Sequence, residues 1–196
     1  PNAFATGRNP KHAVIAVTRG LMNRLQPAEL EAVLAHEMTH VRNRDVMVMM
    51  VASFFAMVAQ LLMRMLFWGG MMGGMGGRRD RRDGGSIAMI YLASILVWVI
   101  SFLLIRTLSR YREFAADRGS AIITGSPSNL MSALVKISGA MQRIPERDLR
   151  EVQGMNAMFI IPAAVGNGLS EIFSTHPSLE HRLERLRALS REMEGL

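Results

Sequence analysis

Two long stretches of apolar side chains, 46–68 and 87–108, constrain this chain more than any other feature. The first is interrupted only by Ser53, Gln60 and Arg64, and the second carries Arg106 close to its end. Each holds about 22 residues, enough for a helix to cross a hydrocarbon layer of about 30 Å. Neither has the polar stripe that a helix on a water-soluble surface needs. They read as a transmembrane hairpin, with Arg64 and Arg106 snorkelling outward and Trp68, Tyr91 and Trp98 as interfacial anchors. The alternative is a pair of long helices inside a soluble core, which the 17 methionines would also suit. A signal peptide is excluded, since neither stretch is N-terminal.

The segment 69–86 between them is dense in glycine and holds Arg78, Arg79, Arg81 and Arg82. Glycine at that density argues against a stable helix and for a flexible loop. The arginines balance Arg42, Arg44, Arg110, Arg112 and Arg118 on the outer flanks, so charge alone does not orient the hairpin. A net charge of +7 favours contact with a bilayer of anionic lipid over nucleic acid, because no aromatic-basic motif accompanies it. The chain, 1–196, suits a single domain into which the hairpin is inserted.

Just before the first apolar stretch stands His36-Glu37-Met38-Thr39-His40. Residues four apart lie one above the other on a helix, so His36 and His40 can share one metal ion. Glu37 is placed beside them to take a proton from attacking water. Helical conformation is expected from Gln26 onward. Pro27 suits a first helical position, Glu29 and Glu31 suit the first turn, and Leu30, Val33, Leu34 and Val41 mark a buried flank. The plain alternative is a charged helix face with no metal. A structural zinc site would want four ligands, often thiolates, and the chain has no cysteine. A catalytic site wants three ligands and an open position.

Glu113 is the best third ligand, and Asp117, four residues on, shares its helix face. Asp117 can accept the free ring N–H of a ligating histidine and fix its tautomer. Arg110, Arg112 and Arg118 nearby keep a solvated, salt-bridged helix as the other reading of this stretch. With these residues the chain reads as α+β, mostly helical, with a zincin-like H-E-x-x-H helix and one Zn2+ per subunit.

Three motifs together resemble the HtpX-type heat-shock membrane metalloproteases, and more distantly the type I CAAX prenyl proteases. They are His36-Glu37-Met38-Thr39-His40, Arg112-Glu113-Phe114-Ala115-Ala116-Asp117 and Ser174-Thr175-His176-Pro177, and the opening Pro1 to Arg8 is similar as well. The resemblance covers nearly the whole chain. It implies a zinc endopeptidase of the bacterial cytoplasmic (inner) membrane, multi-pass, acting in the stress response on misfolded or damaged membrane proteins. The active site would face the cytoplasm. It also implies two further hydrophobic segments ahead of Pro1, so the chain is expected to be a fragment. Such a family places His176 near the active site, where it either stabilises the oxyanion or serves as a structural cap or core hydrogen-bond partner. Arg182 is a second candidate for the oxyanion, or a salt-bridge partner; His12 and His181 read as structural or surface residues.

The N-terminus reads as a β-hairpin, Asn2 to Thr6 and His12 to Thr18 about a turn at Gly7-Arg8-Asn9-Pro10. Its strand edge, Asn2, Ala3, Phe4 and Ala5, is either a plain structural edge or a platform on which an extended polypeptide adds as a further strand. The zinc helix is expected to run on, or nearly so, into the first apolar stretch, and the second stretch to lead directly to Glu113. Further helices are expected at Ser128–Gln142 and Ser178–Glu194, with a less regular stretch from Met155 to Ile161 beneath the site. A non-enzymatic reading competes with hydrolysis: a membrane-tethered adaptor or holdase that uses zinc only to fold.

Overall fold

Strand β1 (Ala3–Thr6) pairs antiparallel with β2 (Val14–Val17), Ala3 opposite Val17 and Thr6 opposite Val14. Gly7 has a φ of 133°, and a Cβ there would overlap the backbone of His12, so only glycine fits this bend. A 3₁₀ turn at Pro10–His12 shortens the second strand relative to the expected His12 start. In this computed structural model residues 1–7, 10–73, 83–144, 160 and 176–195 are described. They divide into two compact units, Pro1–Met47 with Leu108–Leu196, and Val48–Thr107.

The first unit contains the hairpin and a one-turn helix, α1 (Arg19–Met22), followed by α2 (Pro27–Arg42). Pro27 occupies the first helical position, and the Glu29 carboxylate reaches back to accept the Gln26 N–H at 2.8 Å. That bond satisfies one of the amides a helix start leaves without a partner. Glu29 is itself buried. It also accepts Ser132 Oγ at 2.6 Å and lies 2.6 Å from Lys136 Nζ, which ties α2 to α5 (Pro127–Met141). The apolar core lies where α2, α5 and α6 (Leu179–Glu194) meet, around Val33, Leu130, Leu134, Ile137 and Leu186. Leu30 and Leu34, expected on the buried flank, are only half buried; alanines and the polar site residues take the innermost positions.

Helix α3 (Asp45–Gly73) starts after a two-residue break, not as a continuation of α2. Asn43 N–H still bonds Thr39 O at 2.9 Å, but Arg44 takes a left-handed φ of 55° and ends the helix. Helix α4 (Asp83–Thr124) is continuous through the second apolar stretch, Glu113 and Asp117. Both helices intrude on the segment expected as a loop, since α3 runs through Gly69–Gly73 and α4 begins at Asp83. An established helix is extended at a cost of about 1 kcal/mol per glycine, far less than starting a new one, so it persists into glycine. Residues 74–82, with the four arginines, lie outside the described residues, as do 155–159 and 161 of the stretch expected beneath the site.

In the second unit, Met50, Phe55, Leu92 and Leu104 are all more than 60% exposed. The stretches Asp45–Gly69 and Tyr91–Thr124 are long and apolar enough to cross a membrane. Most of the apolar side chains described within this unit are exposed or half buried, so here the apolar stretches are not a buried core. Arg106 lays its guanidinium 4.6 Å from the centre of the Phe102 ring, and Phe67 meets Tyr91 at 6.3 Å between centroids. Glu113 and Asp117 belong to the part of α4 in the first unit.

Candidate metal centre

Helix α2 sets His36 and His40 one turn apart on its inner face, their rings nearly perpendicular and their Nε2 atoms 3.2 Å from each other. Helix α4 brings Glu113 against them, Oε2 at 3.7 Å from His36 Nε2 and Oε1 at 3.6 Å from His40 Nε2. The contact is close because α4 has Gly119 where it crosses α2. A Cβ there would overlap the Thr39 side chain. Next to that crossing, Ser120 Oγ donates to Ala32 O at 2.6 Å.

These three residues each offer a ligand atom within 4.8 Å of the others. Tetrahedral coordination with bonds of roughly 2.0–2.2 Å separates its ligand atoms by about 3.3 Å, so the spacing fits a small cation. The charge pattern fits too. Glu113 Oε2 is buried with no hydrogen-bond partner among the described residues, and its nearest nitrogens, on His36, His176 and Arg182, stand at 3.6 to 3.7 Å. A buried carboxylate oxygen left that way wants a cation between it and its neighbours.

Each of the two histidines turns Nε2 toward the other and toward Glu113, and Nδ1 toward a carboxylate. His36 Nδ1 lies 3.0 Å from Asp117 Oδ1, and His40 Nδ1 lies 2.5 Å from Asp45 Oδ2. Burial pulls the His36 pKa down, but Asp117 and Glu113 outweigh it and raise it to about 9. Glu37 is buried as well. Burial pushes its pKa up despite the nearby His36 and His40, and its Oε2 accepts the Ala5 N–H at 3.1 Å.

Arg182 is 2% exposed and gives Nε and Nη2 to the two Asp117 oxygens at 2.9 and 2.6 Å, with Nη1 on Ile160 O at 2.8 Å. Two of its donors hold Asp117, which is the salt bridge that was one of its two readings. His176 is buried with Nδ1 3.6 Å from Glu113 Oε2. His181 shares a hydrogen bond with Ser178 at the exposed start of α6.

A cleft of about 510 Å³ opens beside Glu37 and His40. Ala5, Thr6, Gly7, Arg44, Asp45 and Arg112 are among the residues that line it. Of the strand proposed to receive a polypeptide, only Ala5 reaches this cleft among the described residues. Asn2 and Ala3 are buried, and Asn2 is bonded to Thr18 and to Ile160 N.

Sequence reasoning missed Asp45. On an unbroken helix a residue five positions past His40 would sit about 140° round the axis, out of reach. The left-handed Arg44 brings it back. The available signal was an acidic residue two positions after an Asn at the end of a helix.

Two histidines and a glutamate on an H-E-x-x-H helix, with a buried carboxylate opening onto a cleft, define a metallopeptidase-type centre. The sequence model of peptidase family M48 matches residues 1–190, and the chain belongs to that family. Its similarity is of the HtpX type. It is 64% identical over 194 residues to the "Protease HtpX homolog" of Moorella thermoacetica, covering 99% of this chain and 64% of that protein. It is 63% identical over 193 residues to "Protease HtpX homolog 2" of Methanosarcina acetivorans, covering 98% and 64%. It is 52% identical over 194 residues to "Protease HtpX homolog 1" of Streptomyces coelicolor, covering 98% and 63%. The chain thus spans just under two thirds of the length of these relatives. No solved structure matches it.

Proposed function

We propose that this chain is the catalytic part of a membrane-anchored zinc endopeptidase that cuts misfolded or damaged membrane proteins in quality control. His36, His40 and Glu113 would hold the zinc. When bound, it acts as a Lewis acid toward the scissile carbonyl and makes water a nucleophile at neutral pH. Glu37 takes the proton of the attacking water and returns it to the leaving amine. Its raised pKa brings it closer to the range in which one carboxyl can do both. The Ala5 amide fixes the Glu37 carboxylate at the cleft wall. Asp117 and Arg182 hold His36 in the tautomer that frees Nε2. His176, buried with Nδ1 3.6 Å from Glu113 Oε2, is the residue we assign to stabilising the oxyanion.

The observation that carries this reading is the convergence of both Nε2 atoms and Glu113 beside a buried Glu37. The exposed apolar stretches support the membrane anchor, and the family supports peptide hydrolysis. We further place the site on the cytoplasmic side of a bacterial inner membrane, in agreement with a chain free of cysteine. Purified zinc-loaded protein and Glu37→Gln should be compared on an unfolded substrate such as casein. Loss of roughly 10²- to 10⁴-fold in turnover with one zinc still bound is expected, because the base is removed and the ligands are not. Normal cleavage by Glu37→Gln would falsify the assignment of the base. Zinc bound by wild type with no turnover would return the adaptor or holdase reading.

A further inference from the structure

We propose that Asp45 is a positioning residue for the metal ligand His40, held in place by Arg112, so that the first residue of the apolar helix α3 is a working part of the site. The inference rests on the metal-centre reading above. For His40 to give its Nε2 lone pair to a cation, Nδ1 must carry the ring proton, and a carboxylate at Nδ1 enforces that choice. Asp45 Oδ2 lies 2.5 Å from His40 Nδ1, a charge-assisted contact at the short end of the range. Asp45 is 4% exposed, and Arg112 Nε forms an ion pair with the same oxygen at 3.2 Å, outside hydrogen-bond geometry, so that Arg112 supplies the opposite charge next to the buried carboxylate.

The arrangement repeats the one on the other ligand, where Asp117 faces His36 Nδ1 and Arg182 grips Asp117. Both ligating rings thus stand in a chain of arginine, aspartate and histidine. The second chain exists only because Arg44 breaks the helix with a left-handed φ of 55°. A purely structural explanation is also available, since an acidic residue in a first helical turn stabilises the turn by itself.

Zinc affinity of the purified full chain, measured by competition with a chromophoric chelator, separates the two, together with the visible spectrum of the cobalt-substituted protein. Asp45→Asn keeps the side-chain shape and a residue favoured at helix starts while removing the charge. We expect it to lower zinc affinity roughly 10- to 100-fold and to alter the cobalt spectrum at saturating metal. Arg112→Gln should lose part of that affinity, and Arg112→Lys should recover some of it. Wild-type affinity and an unchanged cobalt spectrum in Asp45→Asn would overturn the proposal, even if its melting temperature fell. Wild-type protein that binds no zinc would instead sink the metal centre itself, a different failure read in a different sample.

Discussion

Glu29 shows how a residue that reads as a helix-start ornament becomes a tertiary link. Its burial opposes ionisation, but Lys136, Ser132 and the Gln26 amide outweigh that and hold its pKa below the usual carboxylate value. A group with a depressed folded pKa contributes stability that is fully present above its unfolded pKa of about 4.3 and is lost as pH falls through the folded value. Lys136 is 41% exposed, so solvent screens the pair and its contribution is at most about 1 kcal/mol. Acid titration of the melting temperature from pH 6 to 3 should therefore fall less steeply in Glu29→Gln than in wild type. Identical slopes would show that Glu29 is not one of the groups that titrate with unfolding. Ser132 and Lys136 could not be assigned to Glu29 from the sequence, because more than a hundred positions separate them and only packing brings α5 to α2.

At the scale of elements, the crossing of α2 and α4 and the break before α3 decide the geometry of the centre. Gly119→Ala should destabilise the protein by about 1–3 kcal/mol through overpacking, although alanine favours the helix by about 1 kcal/mol. Adding Thr39→Ala should recover part of the loss, because the overlapping atoms belong to that side chain. Equal melting temperatures for Gly119→Ala and wild type would mean the helices can part without cost. Arg44→Val should lower stability by about 1–2 kcal/mol, since a β-branched residue resists a positive φ, while Arg44→Gly should be tolerated. If both behaved alike in thermal unfolding, the left-handed step would not be what holds the junction. The helices themselves were legible because apolar period, proline and caps are local signals. The α2 break was not, as Asn43 and Arg44 sit between two strongly helical runs and offer no glycine or proline to mark it. That His36 and His40 share one helix face, and Glu113 and Asp117 another, was legible from helical spacing, whereas the place of Asp45 depended on that break.

At the scale of the whole molecule, sidedness can be measured directly because the native chain has no cysteine. Met193, 43% exposed near the end of α6, is a suitable place to introduce one. Met193→Cys in intact bacterial cells should resist a membrane-impermeant maleimide and react after the cells are broken. Labelling of intact cells would put the site on the outer face. The order of the ligands along the chain has its own consequence. His36 and His40 precede both apolar stretches and Glu113 follows them. During synthesis the two halves of the centre therefore leave the ribosome at different times, with the entire hairpin made in between. If the proposed function holds, a nascent copy would stay inert toward its neighbours and toward itself until both apolar stretches have been made, so the fold would delay the blade until this handle is in place.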